Sequence, residues 1–330
     1  MSIGLIKKLA VKQASLAKLM WPYRTNGLYC FNFHRLGNAN KTPFDPCVYS
    51  CDAQNFQIYL EFFKSNFRII NLTELYAIIS AGQPIKEKLA LITFDDGYRD
   101  NFDIAYPLLK AMNIPATFFV TTSLIESNKV PWWDEIAWHV KQLPGQELKL
   151  SIWPNGIAIP EIIDSDVIRK VLSRVKAFPA KINNQLEELR SITKKEIPAD
   201  LSDNLFMGWE QLQEAEKNGI SIGAHSHTHR ILSSLPQEEL IYELTESKRL
   251  LEKYLTNPIE SISYPVGGAS TYHNSMFKLL NELGYLVGFT FCNMVHRDIT
   301  NKNYELGRLS IDRPFNELFL KQMILSSPKR

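Results

Sequence analysis

Short runs rich in β-branched and aromatic residues alternate with amphipathic helical segments along most of this chain, and that alternation is what most limits its fold. GLYCFNFH (27–34) reads as a strand, QNFQIYLEFFKSNF as a helix with Phe56, Tyr59, Leu60 and Phe63 on one face, and FRIINL as a second strand. LTELYAIISAG then reads as a helix ending at Gly82, KLALITF as a strand, FDIAYPLLKAMNI as a helix and ATFFVTT as a strand. After an irregular stretch the pattern resumes with helix GWEQLQEAEKNG, strand ISIGAH, helix PQEELIYELTESKRLLEKYL, strand SISYP, helix TYHNSMFKLLNELG, strand LVGFTF and a closing YELGRLSIDR. Parallel neighbours need crossovers long enough to hold a helix, so this order predicts an α/β fold with a parallel sheet. The irregular stretch, about 123–204, holds VPWWDEIAWHVKQL, a hairpin-like LKLSIWPNGIAI and two charged helical segments. One barrel-like domain carrying that insertion accounts for 330 residues.

With 45% hydrophobic and 22% charged residues the chain has the material for a large core, and a net charge of +2 gives no general attraction to nucleic acid. The charge is uneven at the start. No acidic residue precedes Asp45, whereas Lys7, Lys8, Lys12, Lys18, Arg24, Arg35 and Lys41 do. Ile3, Leu5, Ile6, Leu9, Leu16, Leu19 and Met20 recur at helical spacing, so residues 1–26 read as a basic amphipathic helix ahead of a domain over 27–330. Such a helix either packs on its own domain, docks a partner, or lies on an anionic membrane surface through residues 1–24. Lysines interrupt the apolar runs of a secretory leader, and no run of 18 apolar residues suggests a membrane span. Cys30, Cys47, Cys51 and Cys292 lack disulfide-framework or zinc-ribbon spacing. The expected location is the cytoplasm, with peripheral contact at the inner membrane face open; the oligomeric state is not legible.

Two segments carry chemistry. KLALITF runs directly into Asp95, Asp96 and Gly97. An Asp-Asp-Gly after a strand also makes an ordinary turn, but adjacent carboxylates repel and resist burial unless a cation or a neighbour offsets the cost. ISIGA runs into His225, Ser226, His227, Thr228 and His229. On a helical turn His225 and His229 project from one side, a spacing that suits two imidazoles on one ion, while His227 points elsewhere. The competing reading is a solvated polar turn. Both segments follow apolar strands, and in parallel α/β folds the C-terminal strand ends form the face where active sites lie.

These residues resemble the polysaccharide deacetylases, the carbohydrate esterase family 4 group with the NodB-homology domain. Its first motif stands as Thr93-Phe94-Asp95-Asp96-Gly97 and its second as His225-Ser226-His227-Thr228-His229. LYCFNFHRLG, FRIINLTEL, GWEQLQEAEKNGISIGAHSHTH and SISYPVGG also resemble a subgroup tied to extracellular polysaccharides. The resemblance covers most of 27–313 outside the insertion. It implies a distorted (β/α) barrel of seven strands, Asp95 as catalytic base, and Asp96, His225 and His229 as ligands of a divalent metal. Zinc suits those donors, and cobalt, nickel or iron would also fit. It further implies hydrolysis of N-acetyl groups on an amino sugar in a polysaccharide, oligosaccharide or lipid-linked precursor. A deformylase or O-deacetylase would use the same groups, and a silent carbohydrate-binding protein could share the fold.

The chain departs from the family pattern twice. The usual Arg-x-Pro-Tyr motif is replaced by Ser263-Tyr264-Pro265-Val266, a Tyr-Pro-x-Gly version that removes an arginine from beside the catalytic carboxylate. Arg308 is the candidate replacement, and Tyr264, Pro265 and Val266 are the candidate oxyanion and substrate contacts, with a main-chain N–H near Val266 as donor. No Leu-x-His stands near the C-terminal end. His34, at the end of the first strand, is the candidate proton donor, with His296 second and His273 read as a helix-start residue. Trp132, Trp133 and Trp138 lie in the insertion, where flat aromatic faces could form a platform for sugar rings, although for each of them packing is the favoured reading; Trp209, which opens a helix, is read as a packing residue.

Overall fold

Residues 15–300 and 302–330 are described in the computed structural model of the chain. Most of the basic N-terminal helix, residues 1–14, lies outside the described residues; residues 15–20 are helical and lead into a 3-10 turn at Trp21–Tyr23. The sheet strands are β1 (Gly27–Phe33), β2 (Arg68–Ile69), β3 (Lys88–Phe94), β4 (Thr117–Val120), β5 (Ser221–Ala224), β6 (Ser261–Ser263), β7 (Val287–Phe289) and β8 (Leu309–Ser310). Their order is β7-β6-β5-β4-β3-β1-β8, and every pairing is parallel. The outer edge of β3 is shared, by β2 at Leu89 and Ala90 and by β4 at Thr93 and Phe94.

The sheet curls until its ends approach, where a bridge joins Phe289 to Leu306 just ahead of β8. The result is the distorted seven-stranded (β/α) barrel expected from the sequence, with the short β2 added at one edge. Strands with both faces covered need apolar residues throughout, which is why β1 and β3 read as continuous runs without alternation. Helices α1 (Ala53–Asn66) and α2 (Leu72–Ala81) pack outside. From α1, Phe63 stacks on Phe31 of β1 with ring centroids 4.0 Å apart, and Phe56 meets Phe33 edge-on. Asp52 and Asn71 cap their N-termini, and Gly82 ends α2 in a left-handed turn.

The helix read over FDIAYPLLKAMNI is not uniform. Asn101–Ala105 form a π-turn before α3 (Tyr106–Met112). Pro107 has no N–H to return to the carbonyl four residues back, so the ladder widens by one residue as it enters. FRIINL contributes only Arg68–Ile69 to the sheet, and the helix read from 271 begins at Met276 because residues 269–275 are spent in turns.

The stretch between β4 and β5 brings its own core. α4 (Trp132–Val140), a two-stranded hairpin (Glu147–Leu148 with Ile157–Ala158), α5 (Ser165–Lys176) and α6 (Ile182–Thr193) bury Trp133, Ile136, Trp138, Trp153, Leu172 and Leu189 together. The four cysteines are free thiols. Among the described residues no helix is long and apolar enough to cross a membrane.

Candidate active site

β1 and β3 run in register for seven residues, from Gly27 opposite Lys88 to Phe33 opposite Phe94, so the next residues, His34 and Asp95, leave the sheet side by side. His34 Nε2 lies 4.0 Å from Asp95 Oδ2. The chain then turns sharply. Asp96 adopts φ +75°, and Gly97 follows at +86° where a Cβ would come within 2.9 Å of Val120. The two carboxylates therefore part. Asp95 turns to Arg308, which donates from Nη1 to Oδ1 at 2.8 Å and from Nη2 to Oδ2 at 2.6 Å. Asp96 turns to the histidines.

Arg308 is itself fully buried and fixed, donating to Asn32 Oδ1, Ser263 Oγ and the Thr290 carbonyl. Burial would raise Asp95, but the Arg308 guanidinium and His225 bring it down to about 2. This bidentate, charge-assisted pair stands where the family's usual arginine is missing.

His225 and His229 belong to the loop after β5. It is an irregular turn with Ser226 at φ +60° and His229 at +58°, and the helical turn that the spacing suggested does not form. Two left-handed residues swing both imidazoles toward Asp96 where a helix would have stacked them. Glu243, on α8 (Gln237–Tyr254) beyond α7 (Trp209–Lys217), holds the loop by accepting from the N–H groups of His227 and Thr228 at 2.9 and 2.8 Å. His227 itself faces away, bonded to Thr122.

His225 Nε2 and His229 Nε2 stand 3.4 and 3.3 Å from Asp96 Oδ1, and all three donors lie within 4.8 Å of one another, buried. Two ligands at about 2.0–2.1 Å from a tetrahedral ion are separated by about 3.3–3.4 Å, so the spacing of each histidine from Asp96 is that of ligands sharing a zinc-sized cation. The tautomer agrees. His225 Nδ1 lies 2.8 Å from the Ser263 carbonyl and so carries the proton, which leaves Nε2 as the lone pair facing Asp96. Burial opposes the charge on Asp96, yet the His225 and His229 imidazoles that face it hold it far below the usual carboxylate range. Burial keeps His229 below its ordinary value, whereas Asp95 and Asp96 raise His225 against the burial that would lower it.

A cavity of about 1070 Å³ opens over these groups, and His34, Asp95, Asp96, His225, His229 and Val266 line it. Val266 is left-handed at φ +64°, a rare conformation for a β-branched residue. Tyr264 and Pro265 do not line the cavity; Tyr264 is buried against Tyr272 and donates to the Tyr304 carbonyl. His296 sits at the opposite end of β1, bridged to Leu28, and His273 bonds the Ser233 carbonyl outside the cavity.

The insertion reaches this mouth through Trp132 and Trp133, two of the three tryptophans that its sequence offered for a sugar platform. The Trp133 ring packs 4.2 Å from the His229 ring, and its Nε1 donates to Tyr98, which donates to the buried Asp134. Trp132 Nε1 donates to the His229 carbonyl at 3.3 Å. Trp138 stays in the insertion's core and Trp209 stacks on Tyr254. Asn32, Ser263 and Glu243 also went unread, since a single polar residue in an apolar strand or helix carries no spacing signal.

The polysaccharide deacetylase family model matches residues 82–288. YxkH of Bacillus subtilis strain 168 is 22% identical over 238 residues, 72% of this chain and 57% of that protein. The poly-β-1,6-N-acetyl-D-glucosamine N-deacetylase of Escherichia coli strain K12 is 23% identical over 129 residues, 38% of this chain and 18% of that one. The chain thus matches little more than half of the length of one relative and under a fifth of the other. Among solved structures, the Streptococcus pyogenes deacetylase PplD, in complex with acetate, aligns with a TM-score of 0.59 at 17% identity, covering 91% of this chain and 99% of that one. That likeness is one of fold. The family match spans more than half of the sequence and includes both segments that converge on the cavity, and on that ground the chain belongs to the polysaccharide deacetylases, carbohydrate esterase family 4.

Proposed function

We propose that this chain is a metal-dependent hydrolase that removes N-acetyl groups from an amino sugar held in a polysaccharide, oligosaccharide or lipid-linked precursor. The observation that carries the reading is the division of labour between adjacent carboxylates, with Asp96 facing two imidazoles and Asp95 clamped by Arg308. The relative that acts on poly-β-1,6-N-acetyl-D-glucosamine and the acetate held by PplD support an N-acetyl substrate.

In this reading Asp96, His225 and His229 hold the divalent cation, with zinc the best match to the donors. When bound, such a cation acidifies water and polarises the acyl oxygen. Arg308 keeps Asp95 ionised, so its carboxylate accepts the proton released as water attacks the amide carbon. The same pairing makes Asp95 a weak base that gives the proton up readily. His34 Nε2, 4.0 Å away, is next to receive it. Burial lowers His34 against the pull of Asp96 and Asp95, so it starts neutral and becomes a donor to the departing nitrogen after taking that proton. The Val266 N–H donates to no atom among the described residues, and its left-handed backbone serves to aim that donor at the developing oxyanion.

The test joins metal content by mass spectrometry with acetate release from N-acetylglucosamine oligomers, for the wild type, Asp96→Asn and His229→Ala. About one metal per chain, lost in both variants, together with acetate release in the wild type is the expected result. Failure to bind metal under any loading condition would overturn the mechanism. Metal without acetate would leave the site and replace the N-acetyl substrate by a formyl or O-acetyl one.

A further inference from the structure

We infer that Lys176 binds an acidic group, a phosphate or a carboxylate, carried by the sugar substrate, and thereby sets which chains this site accepts. The inference rests on the deacetylase reading above.

Lys176 is the last residue of α5 and lines the same cavity as Asp96 and His229, although it comes from the insertion. Its ammonium lies 5.7 Å from the ring centroid of Trp132, and Trp132 holds the His229 carbonyl. One aromatic ring therefore separates this cation from the loop that carries a proposed metal ligand.

Every other charge on the cavity wall has a partner. Arg169, two turns earlier on the same helix, reaches the buried Asp45 at 3.1 Å. Asp52 caps α1, Asp312 pairs with Arg313, and Asp95 is taken by Arg308. Asp96 faces the two histidines. Lys176 alone makes no ion pair and no hydrogen bond among the described residues, and it donates to none of the carbonyls at the end of its own helix.

A lysine with no structural task normally extends into water, where its charge is solvated. This one is half-buried, and burial, joined by the Arg169 charge, pushes its ammonium down to about 8 against the pull of Asp45 and Asp96, so it still carries its proton at pH 7 in surroundings that repay only part of the lost hydration. An anion arriving with the substrate would repay it. The neutral N-acetyl sugar itself offers none, so the anion belongs to a neighbouring part of the substrate: a phosphate, as at a lipid-linked or phosphorylated end, or the carboxylate of an acidic sugar.

The test uses the full metal-loaded chain and three oligomers: N-acetylglucosamine tetramer, the same tetramer with a terminal phosphate, and a tetramer carrying a uronic acid. Wild type, Lys176→Met and Lys176→Arg are compared in acetate release. The expected result is a kcat/KM about tenfold higher for at least one acidic oligomer than for the neutral one. Lys176→Met should lose that advantage through KM, leave the neutral oligomer unchanged and differ little in melting temperature, while Lys176→Arg retains the preference. The acidic oligomer that responds tells phosphate from carboxylate. No preference in the wild type, or an equal loss on all three oligomers in Lys176→Met, would overturn the assignment. If no oligomer releases acetate, the function reading fails instead. Calorimetric binding of the same oligomers, then free of turnover, decides Lys176 by the same comparison.

Discussion

Arg308 is the residue on which the most depends for the least sequence signal. Replacing it with leucine leaves Asp95 buried without a counterion, and breaking one side of such a pair costs about 3–5 kcal/mol. We expect Arg308→Leu to lower thermal stability accordingly and to reduce acetate release by at least a hundredfold, both measurable on the purified variant. The pair also sets an acid limit. Asp95 sits at about 2 in the folded chain against an ordinary value of 3.8, so its contribution is complete above about pH 4 and is lost as the pH falls toward 2. Unfolding free energies from denaturant titrations at several pH values should show a fall of about 2 kcal/mol over that interval in the wild type that Arg308→Leu does not show. Glu243 acts one layer further out. By holding the N–H groups of His227 and Thr228 it aims His229, and Glu243→Ala should weaken zinc binding about 10- to 100-fold in a chelator competition while the helix that bears it stays folded. The motif residues Asp95, Asp96, His225 and His229 could be named from the sequence because each directly ends a strand or its loop. Asn32, Ser263 and Glu243 could not, because their roles arise only when three separate elements meet.

At the scale of elements, the alternation of strands and helices along the chain and the parallel sheet were legible because period and strand-end chemistry are local. What was not legible is where the insertion docks. Nothing in VPWWDEIAWHV says that Trp133 will rest on His229, since a tryptophan that lines a mouth and one that fills a core look alike until the packing is known. Its proximity gives a direct test of metal placement. Titrating Co²⁺ into the apoprotein should quench tryptophan fluorescence, and Trp133→Phe should remove most of that quenching. The N-terminal segment makes a second elemental prediction. Trp21 is anchored through Asn66 and Phe62, whereas Leu16, Leu19, Met20 and Tyr23 are exposed beside it. If this face lies on an anionic membrane surface, cosedimentation with phosphatidylglycerol vesicles should fall several-fold in a Leu16→Gln, Leu19→Gln variant. Equal cosedimentation would rule that role out.

For the molecule as a whole, the proposed metal couples acidity to fold. His225 rises above 6.5 through its carboxylate neighbours, and its second proton would sit on Nε2, the atom offered to the cation. Metal affinity should therefore fall as the pH drops through the range in which His225 takes up that proton, by about tenfold per unit once proton competition dominates, as read by zinc titration at several pH values. Because the ligands come from the turn after β3 and the loop after β5, binding should also raise the melting temperature in proportion to the logarithm of metal concentration. The register of β1 with β3 has a further consequence. His34 and Asp95 are placed by seven consecutive paired residues, while His225 and His229 hang on a strained loop. Chelation should speed amide exchange at residues 226–229 and leave 27–33 protected. The proton-handling pair, His34 and Asp95, is thus placed by strand register and two of the three proposed metal ligands by a loop, so substitutions in that loop can retune the metal while the register that sets the route for protons stays as it is.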